Sequence, residues 1–149
     1  MDKNYNQIIL DGIKNGDTIG GPYELAKIVS KSISSCNGFN KDDLISRYSV
    51  WWKTDAFDTG PTFASVFSKI QNGVKPDIAV QKVHQDFYFN TAGCGPAHRC
   101  SPIAGFLYIP TNKLVSIARE EAKITHFDDD AGYGSAIIVM LCRYLIEGK

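Results

Sequence analysis

The sequence predicts an all-α protein that forms a compact helical domain. Apolar residues recur at helical spacing along almost the whole chain, whereas the alternating patterns typical of strands are scarce and short. Glycine, asparagine or proline marks the ends of most of these apolar stretches. With 149 residues, 44% of them hydrophobic, the chain can bury the core of one domain and hardly more. We therefore expect a single domain over residues 1–149.

The first part of the chain predicts three helices. The first carries the isoleucines at 8–13 and ends near Gly16, because glycine readily takes the left-handed conformation that closes a helix. Pro22 opens the second helix, which runs to about Ser35. A turn rich in Asn and Gly separates it from a third helix over residues 41–52.

A fourth helix starts at an acidic cluster. The segment 58–61 reads Asp-Thr-Gly-Pro, which combines capping side chains with proline at a first helical position that tolerates it. An apolar stripe follows, formed by Phe63, Val66, Phe67 and Ile70. We therefore expect the carboxylate of Asp58 at a helix N-terminus.

The second half predicts three more helices around an irregular loop. Gly73 ends the fourth helix and Pro76 starts the fifth, while the glycine-bearing loop at 93–99 is the least regular stretch. Helical spacing returns at 111–125 and again from about residue 130 to residue 146. The last helix is expected to bury Ile137, Ile138, Leu141 and Leu145.

Charge and apolar runs exclude several classes of protein. Lys plus Arg and Asp plus Glu number 16 each, so no net field draws the chain to nucleic acid or to an acidic membrane. The longest apolar run, 136–141, is too short to cross a bilayer, and the start of the chain lacks a secretion signal. We expect a cytoplasmic protein whose four cysteines are reduced.

Two segments offer oxygen ligands at helix starts. Asp55, Asp58 and Thr59 gather carboxylate and hydroxyl oxygens of the kind that Mg²⁺ prefers. Glu24 follows a glycine-rich loop, and its carboxylate would meet this cluster if the two helix starts converge. The alternative is structural, because Asp and Thr cap helices and a first-turn Glu complements the helix dipole. On residues 55–59 alone, capping is the stronger interpretation.

The loop at 93–99 resembles a cradle for phosphate or ribose. Gly93 and Gly95 permit close approach of the backbone, and Arg99 offers a forked donor for phosphate. The loop lacks the Gly-Lys-Ser/Thr ending of a Walker motif. Structural zinc and a Cys-His nucleophile pair are alternatives for three residues of this stretch, Cys94, His98 and Cys100.

His126 is the remaining candidate for contact with a ligand. It is followed closely by three consecutive acids, Asp128, Asp129 and Asp130. Those three are best explained as residues that cap the last helix and complement its dipole.

Taken in this order, the segments resemble the ADP-ribosylglycohydrolase family. The stretch 16–24 looks like the family's Gly-Asp-x-x-Gly-x-x-x-Glu opening, and Asp58-Thr59 looks like the end of its Thr-Asp-Asp-Thr metal motif. The loop 93–99 is similar to its Gly-Asn-Gly-x-x-Met-Arg loop, and Thr125-His126 matches its Thr-His element. The resemblance covers about the N-terminal half of the family's usual length.

The resemblance implies an all-helical, Mg²⁺-dependent hydrolase that removes ADP-ribosyl groups from a protein or a small-molecule acceptor. It implies catalytic roles for Glu24 and Asp58, and metal ligands among Asp55, Asp58 and Thr59. It also implies that ADP-ribose is held by a second set of residues, Gly93, Gly95, His98, Arg99 and His126.

Two departures from the family pattern leave other functions open. Ala56 and Phe57 stand where a Thr and an Asp would precede Asp58, and the family's later Asp-x-Asp-Thr element is absent from the sequence. A second chain could complete the site. The alternative is a catalytically incomplete module that binds ADP-ribose or another protein, and a third possibility is a helical interaction domain without a ligand.

Overall fold

The fold is all-helical, as the sequence predicts. The computed structural model describes residues 4–149, and no strand occurs in this range. The prediction that the start of the chain lacks a secretion signal rests partly on residues 1–3, which lie outside the described range. The elements of this range are α1 (Tyr5–Gly16), α2 (Gly21–Cys36), α3 (Lys41–Thr54), α4 (Pro61–Gln71), α5 (Pro76–Asp86), α6 (Gly95–Arg99), a 3-10 helix (Ser101–Gly105), α7 (Thr111–Ala122) and α8 (Asp129–Glu147).

Local sequence explains most of the helix boundaries. The side chains of Asn4 and Asn40 accept hydrogen bonds from backbone amides in the first turns of α1 and α3. The side chain of Asp128 caps α8 in the same way, which confirms the structural interpretation of the acids that follow His126. Asn37 closes α2 in the left-handed conformation, and Gly148 does so for α8.

An aromatic cluster joins α3 and α4 in the core. Tyr48 and Phe63 are both almost fully buried, and their rings meet edge to face with centroids 5.5 Å apart. The ring of Phe63 also stacks on that of Phe67 at 4.5 Å. The stripe predicted for the fourth helix therefore faces the core, with Phe63, Val66 and Phe67 buried.

The final helix turns a different face to the core from the one predicted. Ile137, Leu141 and Leu145 are 60%, 53% and 77% exposed, so the expectation that they are buried is wrong, and Ile138 is only partly buried. The buried face is formed mainly by small residues, namely Ala131, Gly132, Ser135, Ala136 and Val139, together with Arg143. Small residues let α7 and α8 approach closely, since a Cβ on Gly132 would lie 3.3 Å from Cγ of Arg119. Helical periodicity identifies the apolar faces of a helix, but it does not show which of two apolar faces is buried.

Arg143 ties α8 to the 3-10 region. The guanidinium is 2% exposed and donates to the carbonyl oxygens of Ala104, Phe106 and Ile109 over distances of 2.9 to 3.0 Å. Burial lowers the pKa of Arg143. These bonds hold an irregular stretch whose two short helices, α6 and the 3-10 helix, the sequence did not predict.

No helix within residues 4–149 combines the length and the apolar character needed to cross a membrane. All four cysteines lie in the described range and are free.

We predict opposite effects for two glycine substitutions. A Cβ on Gly105 would lie 2.8 Å from the backbone of Asn6 in α1, so Gly105→Ala should lower the free energy of unfolding by about 1–3 kcal/mol. Gly134→Ala is the matched control, because the space around Gly134 is open within 4 Å and alanine favours a helix interior by about 0.5–1 kcal/mol. Urea unfolding measures both. Equal loss in the two variants would contradict this packing of α1.

Candidate functional site

Distant segments of the chain converge on one cleft of about 280 Å³. Pro22 and Leu25 of α2 line one side, and the segment 58–63 at the start of α4 lines another. The loop at 93–99 and His126 complete it. Of the residues predicted to form a site, the structure brings together Asp58, Thr59, Gly93, Gly95, His98, Arg99 and His126.

Gly21 allows the two helix starts to meet. A Cβ at this position would lie 2.4 Å from the carbonyl oxygen of Asp58 and 2.8 Å from that of Phe57. Since real Cβ atoms do not approach backbone oxygens so closely, any larger residue would push the 57–58 backbone away. The convergence of α2 and α4 that the sequence left as a condition is therefore met.

Asp58 presents an uncommitted carboxylate at the cleft. Its φ of 49° lies in the left-handed region, which aspartate tolerates better than most residues. The α4 N-cap is Gly60, without a side-chain capping bond, so the capping interpretation of this cluster is wrong. The carboxylate forms no hydrogen bond or ion pair with any residue in the described range. A strained residue with a free charge at a cleft is typical of functional sites.

Glu24 and Asp55 lie outside this cleft. Glu24 pairs with Lys27 at 2.6 Å, and both carboxylates line a separate groove of about 350 Å³ between α2 and α3. The reason is helical geometry, because each residue turns about 100° around the axis. Pro22 and Leu25 point into the cleft, so Glu24 points away from it. The predicted grouping of Glu24 and Asp55 with Asp58 is thus not formed.

Asp17 organises the loop before α2. Its carboxylate accepts backbone N–H bonds from Gly20 at 2.8 Å, Tyr23 at 2.9 Å and Ile19 at 3.3 Å. Burial opposes ionisation, but the amides of Tyr23 and Gly20 lower the pKa of Asp17. The Gly-Asp opening therefore holds the start of α2.

His126 forms the buried wall of the cleft. Its side chain is 4% exposed, and a Cβ on Gly93 would lie 3.2 Å from its Nε2 atom. A Cβ on Gly95 would lie 3.4 Å from its Cε1 atom. A Cβ at position 93 would therefore require a shift of a few tenths of an ångström, whereas one at position 95 would make an ordinary van der Waals contact. Burial, together with the nearby charge of Arg99, lowers the pKa of His126 to about 3, so the ring is neutral at pH 7.

Arg99 is buried and already paired. Nε donates to Glu121 at 2.6 Å and Nη2 donates to Thr125 at 2.8 Å, which uses two of the five N–H donors of the group predicted to grip phosphate. Burial alone would lower the pKa of Arg99, but the Glu121 carboxylate raises it above its ordinary value. Nη1 and the second hydrogen of Nη2 remain, and a Cβ on Gly95 would lie 3.9 Å from Nη1. A contact of Arg99 with phosphate would therefore have to use the donors that this buried pairing leaves free.

The donor set does not fit a metal centre. Across residues 4–149, no group of three His, Cys, Asp or Glu side chains is arranged to hold a metal ion. Cys100 is buried in the core, where burial raises its thiol pKa, so the zinc interpretation fails. Among the described residues lining the cleft, Asp58 alone has a carboxylate. One carboxylate with the Thr59 hydroxyl does not fit the Mg²⁺ site that the resemblance implies.

Sequence reasoning missed an aromatic cluster around His84. The ring of His84 lies 5.0 Å from Phe127 and 5.3 Å from Phe89, between centroids. Phe89 is 67% exposed and has a φ of 62°, which is strained for a bulky residue. Phe127 follows His126 directly in the chain, but none of the three rings lines the cleft. The run Phe87-Tyr88-Phe89 just before the glycine loop was the sequence signal from which this cluster could have been predicted.

The low pKa of His126 predicts a loss of stability in acid. The unfolded chain binds the proton near pH 6.5 and the folded protein only near pH 3, so stability falls as the pH drops between these values. This group should lower the free energy of unfolding by about 2 kcal/mol from pH 8 to pH 5. His126→Gln should remove that part of the slope, while the exposed His98→Gln should keep it. Urea titrations at the two pH values measure the difference, and equal slopes in all three proteins would contradict the burial of a neutral imidazole.

Comparison with known proteins agrees with the resemblance read from the segments. The family model of ADP-ribosylglycohydrolase matches residues 23–149. This range includes the 58–63 segment, the loop at 93–99 and His126. Neither a curated protein nor a solved structure matches the chain. The family match covers well over half of the sequence, and the chain belongs to the ADP-ribosylglycohydrolase family.

Proposed function

We propose that this protein binds the ADP-ribosyl group of a modified protein or small molecule in the cleft and hydrolyses its bond to the acceptor. The observation that carries the proposal is the convergence of Asp58, the glycine loop at 93–99 and His126 on one cleft. Family membership supports the substrate class, since the family acts on ADP-ribosylated substrates.

The exposed rings suit the adenine end of the ligand. Phe89 and Phe127 pack on the ring of His84, Phe127 directly follows His126 in the chain, and aromatic faces stack on nucleobases. Gly93 and Gly95 leave the backbone accessible for phosphate or ribose. The ribose at the other end would then approach Asp58. In this orientation the adenine would lie towards the solvent, and C1″ of the ribose would lie inside the cleft.

Asp58 is the residue assigned to the reaction. Its carboxylate accepts a proton from water as the water oxygen bonds to C1″ of the ribose. The bond from C1″ to the acceptor breaks with its electron pair on the acceptor, which takes up a proton. The family generally uses divalent metals, but no step is assigned to one here because the residues of the cleft do not fit it.

A second candidate is a module that binds ADP-ribose without cleaving it. It is favoured by the single carboxylate among the described lining residues. It also covers the case in which a second chain supplies further ligands. Both candidate functions require ADP-ribose to bind in the same cleft, and only the first requires the protein to hydrolyse the bond to the acceptor.

ADP-ribose at millimolar concentration should raise the melting temperature, because a ligand stabilises the state that it binds. With [ligand] at about 100 times Kd, the stabilisation is about 2.7 kcal/mol. We expect equal shifts with Mg²⁺ and with a chelator, since one carboxylate holds Mg²⁺ weakly. Differential scanning fluorimetry measures them, with AMP and ribose 5-phosphate as partial ligands. No shift in either condition would contradict both candidates, and a shift that needs Mg²⁺ would contradict the metal-free arrangement.

Asp58→Asn should lower the release of ADP-ribose from ADP-ribosylated arginine and serine peptides by at least about 100-fold, because it removes the proton acceptor. Affinity for ADP-ribose should change by less than about tenfold, since the shape of the side chain is kept. Release is measured by chromatography and affinity by calorimetry. Binding without release by the wild-type protein would support the second candidate and contradict hydrolysis.

Glu24→Gln is the matched comparison. Because Glu24 faces the groove between α2 and α3, its loss should leave release and affinity within about twofold, as for a surface change of small energetic effect. A loss as large as that of Asp58→Asn would support the catalytic role that the sequence assigned to Glu24.

A further inference from the structure

We infer that Arg99 and Thr125 fix the tautomer of His126, so that Nε2 carries the ring hydrogen and donates it into the cleft. Thr125 is then a positioning residue for the ligand site. The role of this N–H donor in ligand binding rests on the proposed function. The tautomer of His126 does not, because it is a property of the protein without a ligand.

The argument starts from the hydrogens available to Thr125. Nη2 of Arg99 lies 2.8 Å from the Thr125 hydroxyl oxygen. A guanidinium has donors and no acceptors, so the hydroxyl oxygen must accept this bond. The single hydroxyl hydrogen of Thr125 is therefore free to go to another acceptor.

Two acceptors lie within reach of that hydrogen. Nδ1 of His126 is 2.7 Å from the hydroxyl oxygen, and the carbonyl oxygen of Ala122 is 3.4 Å away. The Ala122 oxygen already accepts the backbone amides of His126 at 2.9 Å and Thr125 at 3.1 Å. Since its two lone pairs are in use, the shorter contact receives the hydrogen. Nδ1 of His126 is thus an acceptor.

A neutral imidazole has one hydrogen, which must then sit on Nε2. The ring is neutral at pH 7, because burial and the charge of Arg99 oppose a second proton. Nε2 faces the cleft beneath Gly93, where the missing side chain leaves room for a ligand atom. The cleft therefore presents an N–H donor at this point, which selects an oxygen acceptor such as a phosphate or hydroxyl oxygen and rejects a second donor.

His84 provides a contrast within the same molecule. Its Nδ1 also lies 2.7 Å from a threonine hydroxyl, that of Thr91. Thr91 receives a long backbone bond of 3.4 Å from Asp128 rather than a bond from a guanidinium. The two histidines thus share a distance but differ in what determines the direction of the hydrogen.

Long-range ¹H–¹⁵N correlation spectra of the whole protein read the ring tautomers directly. His84→Gln and His98→Gln assign the remaining signal to His126. We expect a protonated Nε2 and an unprotonated Nδ1 for His126 in the free protein between pH 5 and pH 8. A protonated Nδ1 would overturn the inference without the need for any variant at Thr125.

Thr125→Val keeps the shape of the side chain and removes the hydroxyl. It should give His126 a mixture of tautomers and weaken ADP-ribose binding about tenfold, as expected for loss of one oriented donor. Thr125→Ser restores the hydroxyl and should restore both properties. Thr91→Val should alter the His84 signal and leave that of His126 unchanged.

The outcomes separate this inference from the proposed function. If the wild-type protein fails to bind ADP-ribose, the proposed function falls while the spectra still decide the tautomer. If Thr125→Val keeps the wild-type tautomer in a folded protein, the inference falls whatever the affinity. If that variant does not fold, the wild-type spectrum remains decisive.

Discussion

A buried ion pair connects the core of this protein to its cleft. Arg99 and Glu121 are 1% and 0% exposed, and their nearest charged atoms lie 2.6 Å apart. Tyr48 donates a further hydrogen bond of 2.8 Å to the same Glu121 oxygen. Removing one partner of such a pair costs about 3–5 kcal/mol, because the other charge is left unpaired in the interior. The pair holds α6 against α7, and with them the glycine loop against His126.

Close contacts at two glycines shape the cleft next to this ion pair. Gly21 admits the backbone of Asp58, and Gly93 admits the imidazole of His126. At Gly21 the backbone of Asp58 packs where a Cβ would stand, and at Gly93 the buried imidazole of His126 packs beside that position, so both contacts depend on the missing side chain. The carboxylate of Asp58 is then free to face a ligand, which is consistent with a site of the ADP-ribosylglycohydrolase family.

The helices were predictable from local rules. Pro61 and Pro76 begin α4 and α5, and Pro22 lies in the first turn of α2, because proline suits a position whose N–H has no partner. The short α6 was missed, since five residues show no period and the helix depends on contacts made elsewhere. The outward face of α8 was misassigned because both of its faces are apolar.

The sequence by itself determined the helical class, the family and most segments that meet at the cleft. These depend on turn, cap and periodicity preferences that act over a few neighbouring residues. Only the tertiary structure decided that Asp58 faces the cleft while Glu24 faces another groove, and that Arg99 is paired in the core. The direction of a side chain depends on how its helix is rotated against its neighbours, and that rotation is set by packing across the whole domain.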